Sequence, residues 1–245
     1  MSVFRFKQFT IYQRAVAMKV NTDGVLIGAW VSLPQTNAPK VLDIGTGSGV
    51  IALMLAQRLC DSALSPHFKV DALEPHDLSA QAACKNVAHS PWASSIRVNQ
   101  STLQEYLNQP QPPKYDLIVS NPPFFEDSLR PPERERRFVR HTDSLSHAEL
   151  VEGAAALLHD SGCFGVIVPV LQKEKFVKAA ANVGLELRRV TILYSLPNKP
   201  PKRALMEFVH RKEPLKSDSL MIHDIDSKSF SAEYKKLTKD FYLAF

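Results

Sequence analysis

Three groups of residues have types and spacing suited to chemistry. Asp43-Ile44-Gly45-Thr46-Gly47-Ser48-Gly49 packs three of the chain's nine glycines into five residues. Glycine lets a backbone turn tightly and approach a ligand with no Cβ in between. A helix starting after such a loop offers free N–H groups to an anion. At the loop entrance, the Asp43 carboxylate can accept from an ammonium group or ordered water. Glu74-Pro75 closes a second apolar run, where a carboxylate can accept from both ribose hydroxyls of an adenosine. Asn121-Pro122-Pro123-Phe124 closes another.

The last group is the most specific. The lone pair of a planar amino nitrogen is delocalised and a poor nucleophile. Two acceptors pulling on its N–H groups favour a more tetrahedral nitrogen and aim the lone pair outward. The Asn121 side-chain oxygen and the Pro122 carbonyl can be those acceptors. Pro122 and Pro123 fix φ and hold the carbonyls rigidly. Phe124 offers a face on which a target ring can stack. Dipoles preorganised toward developing positive charge act as an oxyanion hole does, with the sign reversed.

The elements that must position these groups follow from the patterning. Short apolar runs at residues 41–44, 70–73, 96–98, 116–120 and 164–168 alternate with helix-period segments, which predicts a parallel sheet flanked by helices. A helix is expected from Thr22 as N-cap, others at 76–89, after the Ser146–Glu149 capping box, and from 172 to 183 before Gly184. Residues 190–194 and 204–209, joined by the Pro-rich turn at 197–201, predict an antiparallel closing hairpin, and 229–245 a terminal helix. In such sheets ligands sit at the carboxyl ends of the strands, where the glycine loop and Asn-Pro-Pro-Phe both fall.

A length of 245 residues suits one large domain. The net charge of +5 is mild and compatible with a polyanionic partner. Cys60, Cys84 and Cys163 lie far apart, which suggests neither a disulfide framework nor a zinc knuckle, and predicts buried thiols in a reducing compartment. His141 and His147 lack helix-face metal spacing, so no metal is expected. The first twenty residues scatter Arg5, Lys7, Arg14 and Lys19 among short apolar pieces, unlike an export signal. The apolar stretch at 25–33 is too short to span a bilayer. A cytoplasmic protein without membrane association, monomeric or weakly dimeric, is expected.

Asp-Ile-Gly-Thr-Gly-Ser-Gly, then Glu74, then Asn-Pro-Pro-Phe, in that order, resembles the class I S-adenosylmethionine-dependent methyltransferases over roughly residues 19–210. The glycine spacing is not that of a dinucleotide fingerprint, which needs glycine where Val50 stands. More narrowly, the chain resembles the bacterial tRNA1(Val) adenine-N6 methyltransferases. Residues 18–30, Ser90-Pro91-Trp92-Ala93, Asn121 to Phe125 and 237–243 carry that likeness. The resemblance implies an α/β, Rossmann-like sheet, mostly parallel, with helices on both faces. It implies one domain: a helical extension over the cofactor (1–38), a core (39–210) and a helical tail (211–245). S-adenosylmethionine is the implied cofactor, with Gly45, Thr46, Gly47 and Gly49 around its methionine part, Glu74 and Pro75 at the ribose, and Lys19, Thr22, Asp23, Asp43 and Asn121 lining the site. The implied reaction is methylation of adenosine 37 in tRNA. In one departure, the acid expected after the third strand is replaced by Asn99-Gln100-Ser101-Thr102, with Thr102 in its slot.

Arg130, Arg134, Arg136, Arg137 and Arg140 crowd eleven residues after the catalytic motif, and are expected to grip RNA phosphates. Lys199, Lys202 and Arg203 read as an ordinary solvated patch. Other readings stay open: a protein glutamine N5- or rRNA guanine N2-methyltransferase, since these share the motif, and a non-catalytic RNA-binding module on a methyltransferase fold.

Overall fold

The computed structural model of the chain describes residues 3–14, 16, 18–62, 67–123, 145–225 and 229–245. Phe124 and the five arginines from Arg130 to Arg140 lie outside them. An antiparallel hairpin, β1 (Val3–Arg5) and β2 (Thr10–Tyr12), precedes α1 (Thr22–Trp30). Strands and helices then alternate: β3 (Lys40–Ile44), α2 (Val50–Cys60), β4 (Lys69–Leu73), α3 (Asp77–Ala88), β5 (Ile96–Asn99), α4 (Leu103–Leu107) and β6 (Tyr115–Ser120). After residue 145 come α5 (His147–Leu157), β7 (Leu158–Pro169), α6 (Lys173–Asn182), β8 (Glu186–Tyr194), β9 (Arg203–Val209), β10 (Lys216–Met221) and α7 (Ala232–Thr238).

Among the described residues eight strands form one sheet in the order β10-β8-β9-β7-β6-β3-β4-β5. β9 runs antiparallel to β7 and β8, and every other neighbouring pair is parallel. Leu42, Ile44, Leu117, Ile118 and Val119 are almost wholly buried, as strands covered on both faces require. One face packs against α1, α2 and the amino-terminal hairpin, the other against α4, α5 and α6. The chain leaves β3 toward β4 and β5, then returns to the other side of β3 for β6. That reversal opens a crevice between β3 and β6 at the carboxyl edge, the usual ligand position in open α/β sheets.

α1 is short but buried from Gly24 through Trp30. Val25, Leu26 and Ile27 are fully enclosed, each contributing on the order of 2 kcal/mol of burial. Its cap is Asn21 rather than Thr22: the Asn21 side chain accepts from the Gly24 N–H at 2.8 Å. The capping box at Ser146 and Glu149 is present, and Gly184 adopts φ 77° after α6.

Several expectations need correction. The amino-terminal extension expected as helical opens with a β-hairpin. The carboxyl-terminal tail expected as helical begins with β10, which adds a parallel edge strand beside β8. The terminal helix covers only Ala232–Thr238, because the aromatic residues after it turn back onto the amino-terminal hairpin. Phe6 pairs with Tyr242, and the Lys7 N–H donates to the Phe241 carbonyl. Of the three thiols only Cys163 is buried; Cys60 and Cys84 are exposed.

Candidate active site

The loop after β3 follows from its glycines. Gly45, Gly47 and Gly49 have φ of 74°, 57° and 84°, a region other residues adopt at a cost. A Cβ built on Gly45 or Gly47 would meet nothing within 4 Å, so this stretch of backbone faces open space. Gly49 caps α2, whose first turn includes Val50.

Both carboxylates of the loop are buried, Asp43 at 0% exposure and Glu74 at 4%. Asp43 Oδ2 accepts from the Thr46 hydroxyl at 2.5 Å and the Ala52 N–H at 3.1 Å. Asp43 Oδ1 is shielded and has no partner among the described residues. Burial pushes the Asp43 carboxyl up to about 7 against the pull of those two donors, and the Glu74 charge adds to the rise. Glu74 Oε2 accepts from the Gly47 N–H at 2.8 Å and Oε1 from the His76 N–H at 3.0 Å. Glu74 thus clamps the glycine loop to the start of α3, with Pro75 half-buried between its two anchors. An unpartnered carboxylate oxygen, a second buried carboxylate and a glycine backbone facing open space fit a ligand with a cationic group and a diol.

β6 delivers Asn121 beside this loop. The Ser120 hydroxyl donates to the Ile44 carbonyl at 2.9 Å, tying the two strand ends together. Among the described residues Asn121 Oδ1 is shielded and finds no hydrogen-bond partner, an unusual state for a buried polar atom. Pro122 is buried and Pro123 exposed. The first turn of α1 closes the crevice from the side. A Cβ on Gly24 would lie 3.7 Å from Val50 and 3.8 Å from Asn121 Nδ2.

The structure therefore brings together Asp43, Gly45, Thr46, Gly47, Gly49, Glu74, Pro75 and Asn121. Thr22 and Lys19 are exposed at and before the start of α1. Asp23 makes a 2.7 Å ion pair with Arg203, a partner that reads from sequence as surface charge and that no local signal could reveal. Thr102 also caps α4: its hydroxyl accepts from the Glu105 N–H, and the Glu105 carboxylate accepts from the Thr102 N–H. The end of β5 carries Asn99, whose Nδ2 is shielded and without a partner among the described residues and whose carbonyl accepts from the Glu74 N–H. Among the described residues no group of His, Cys, Asp and Glu is arranged to hold a metal ion, and no helix is long and apolar enough to cross a membrane.

Comparison with known proteins converges on one family. The methyltransferase small domain matches residues 29–172. A curated tRNA1(Val) (adenine(37)-N6)-methyltransferase from Trichodesmium erythraeum is 44% identical over 99% of this chain and 98% of its own length. One from Bacteroides fragilis is 42% identical over 98% and 97%. Among solved structures, a predicted O-methyltransferase from Agrobacterium tumefaciens superposes with a TM-score of 0.65 at 15% identity, over 89% of this chain and 96% of that one. A T. thermophilus 16S rRNA N2 G1207 methyltransferase, solved with AdoMet and guanosine, gives 0.56 at 19% identity, over 86% and 50%. Those two likenesses concern the fold. The near full-length identity to the curated relatives goes further: the chain belongs to the family of tRNA1(Val) (adenine(37)-N6)-methyltransferases, within the methyltransferase small domain.

Proposed function

We propose that this protein methylates the exocyclic N6 of an adenine in tRNA, adenosine 37 of tRNA1(Val), in the cytoplasm. The observation that carries the reading is the unpartnered Oδ1 of Asn121, held beside the glycine loop and Glu74 at the switch point of the sheet. S-adenosylmethionine, when bound, supplies a sulfonium methyl as electrophile. Asp43 and the loop from Gly45 to Gly49 hold its methionine part, and Glu74 with Pro75 its ribose. Asn121 Oδ1 and the Pro122 carbonyl accept the two N–H groups of the target amine and direct its lone pair. Holding amine and methyl in one crevice turns an encounter into a placement, which accounts for much of the rate.

No residue need act as an obligatory base, because the proton can leave the methylated amine after transfer. An adenine in an anticodon loop is already unpaired, so drawing it from its stack costs less than flipping it from a duplex. Phe124 offers the stacking face, and Arg130, Arg134, Arg136, Arg137 and Arg140 take phosphates. Charge reversal at Arg136 and Arg137 is expected to raise KM for tRNA and flatten its salt dependence. The slope should fall by about 0.7 for each single-strand phosphate no longer neutralised. Unchanged salt sensitivity would remove that role.

The deciding experiment uses labelled S-adenosylmethionine with unmodified tRNA1(Val) transcript, a release factor and ribosomal RNA as parallel acceptors, followed by digestion. N6-methyladenosine from the tRNA alone is the expected product. Label in glutamine or guanosine would overturn the substrate, and no label in any acceptor would overturn the enzymatic reading.

A further inference from the structure

Asp23 and Arg203 stand far apart in sequence, yet Arg203 Nε donates to Asp23 Oδ2 at 2.7 Å. The same guanidinium donates through Nη1 to the Lys202 carbonyl at 3.2 Å. Arg203 opens β9 opposite Pro169, the last residue of β7, on the sheet edge where β6 delivers Asn121. Asp23 lies in the first turn of α1 and precedes Gly24, the residue bordering the Asn121 amide. The two side chains are 31% and 21% exposed. The pair is part-buried beside the site, where it can fix the turn of α1 that carries it.

The other end of α1 is fastened to the same β8–β9 hairpin. Trp30 Nε1 donates to the Thr191 hydroxyl on β8 at 2.8 Å, and the Ser32 N–H donates to Glu207 on β9 at 2.6 Å. The lengths agree. At about 1.5 Å per residue α1 spans about 13 Å, and the steps from Arg203 to Glu207, at about 3.3 Å each, span the same. α1 therefore packs over β7, where Ile27 and Val31 lie against Gly165, and is tied at both ends to the β8–β9 hairpin like a splint. Its far end is fastened by one buried and one part-buried hydrogen bond, and its catalytic end by a part-buried ion pair.

We infer that Arg203 is a positioning residue for the acceptor Asn121. By holding Asp23 it keeps the first turn of α1, and Gly24 within it, against the Asn121 amide, so that Oδ1 keeps its aim on the target amine. The inference rests on the reading of Asn121 as that acceptor. Without Arg203 the turn drifts, and turnover falls while binding of cofactor and RNA does not.

The test compares full-length wild type with Arg203→Ala, Arg203→Lys and the reversed pair D23R/R203D. It measures kcat and both KM values with S-adenosylmethionine and tRNA1(Val) transcript, and hydrogen exchange at the backbone amides of the ligand-free protein. Arg203→Ala is expected to lower kcat by about tenfold to a hundredfold, the scale of a misplacement of about 1 Å, with both KM values little changed. Exchange should quicken at Gly24 and Val25 and not elsewhere. Arg203→Lys and the reversed pair should each regain part of the loss. Undiminished kcat in Arg203→Ala would overturn the inference. So would a raised KM for tRNA at unchanged kcat, which would make Arg203 a phosphate ligand, and so would exchange quickened throughout the chain, which would make it a structural residue. If the wild type itself forms no N6-methyladenosine, the substrate reading fails, while the exchange data still decide whether Arg203 holds the turn.

Discussion

The two ends of the crevice are finished to different degrees. At the glycine-loop end the protein has bonded largely to itself: Glu74 clamps Gly47 and His76, and Asp43 holds Thr46 and Ala52 through Oδ2, leaving its Oδ1 open. At the amine end, Asn121 Oδ1 is shielded and left without a donor among the described residues. The contrast fits what each end must do. A cofactor site gains by being built in advance, since ordering a loop at the moment of binding would weaken it. A catalytic acceptor gains by staying unpaired, since a bond it makes only with the reacting amine lowers the barrier while a bond made beforehand does not.

The sharpest way to break this contrast is Asn121→Ala. Its turnover is expected to fall about 10²- to 10³-fold, the usual loss for one preorganised electrostatic group, while S-adenosylmethionine affinity measured calorimetrically stays near wild type. Normal turnover would remove Asn121 from its role. Glu74→Gln should do the reverse. It keeps the shape but loses the charge-assisted bonds, so cofactor Kd should rise about tenfold to a hundredfold, with kcat at saturation much less affected. A large kcat loss at saturating cofactor would mean that the two ends are not separable.

Asp43 adds a pH dependence. Its folded-state value of about 7 stands above the ordinary 3.8, so the folded apo-protein holds a proton there that the unfolded chain has released. This site's contribution to stability therefore falls as pH rises from 3.8 to about 7 and is constant above. A cationic cofactor favours the carboxylate, so affinity should rise with pH up to about 7 and then level. At pH 6 it should be about tenfold below the plateau. Asp43→Asn should flatten that profile in a titration series, and a slope that survives the substitution would assign it to another group. The smallest effect is expected at Asn21, the cap of α1. Asn21→Ala should cost about 1 kcal/mol, a shift of about 2–4 °C in Tm, measured by thermal melting. A kcat loss out of proportion to that shift would extend the amine end of the site to the start of α1.

How much of this was legible in the chain depends on the range of the interaction. The alternation of strands and helices, the glycine loop, the capping box at Ser146 and the closing β8–β9 hairpin were readable, because each is written within a few consecutive residues. β1 and β2 were not, because strands of three residues are too short to show an alternating pattern even though they pair with each other, and β10 was not, because its partner β8 lies distant in sequence. The cap of α1 moved one residue, from Thr22 to Asn21, since either side chain suits the position and the backbone path chooses. Thr102 shows the same limit: its sequence neighbours include Glu105, and a capping box was the local alternative to a ligand contact.

By itself, then, the sequence determined which residues can do the chemistry and which strand ends must carry them, because residue type, glycine spacing and apolar period act locally. Only the tertiary structure decided what those residues have as partners. Glu74 meets the Gly47 N–H because β4 pairs with β3, Asn121 reaches the same loop because the chain reverses beside β3, and Asp23 finds Arg203 because α1 packs over β7 beside β9. Such pairings are set by the packing of one sheet and its helices, and packing brings together residues whose separation along the chain leaves no local mark.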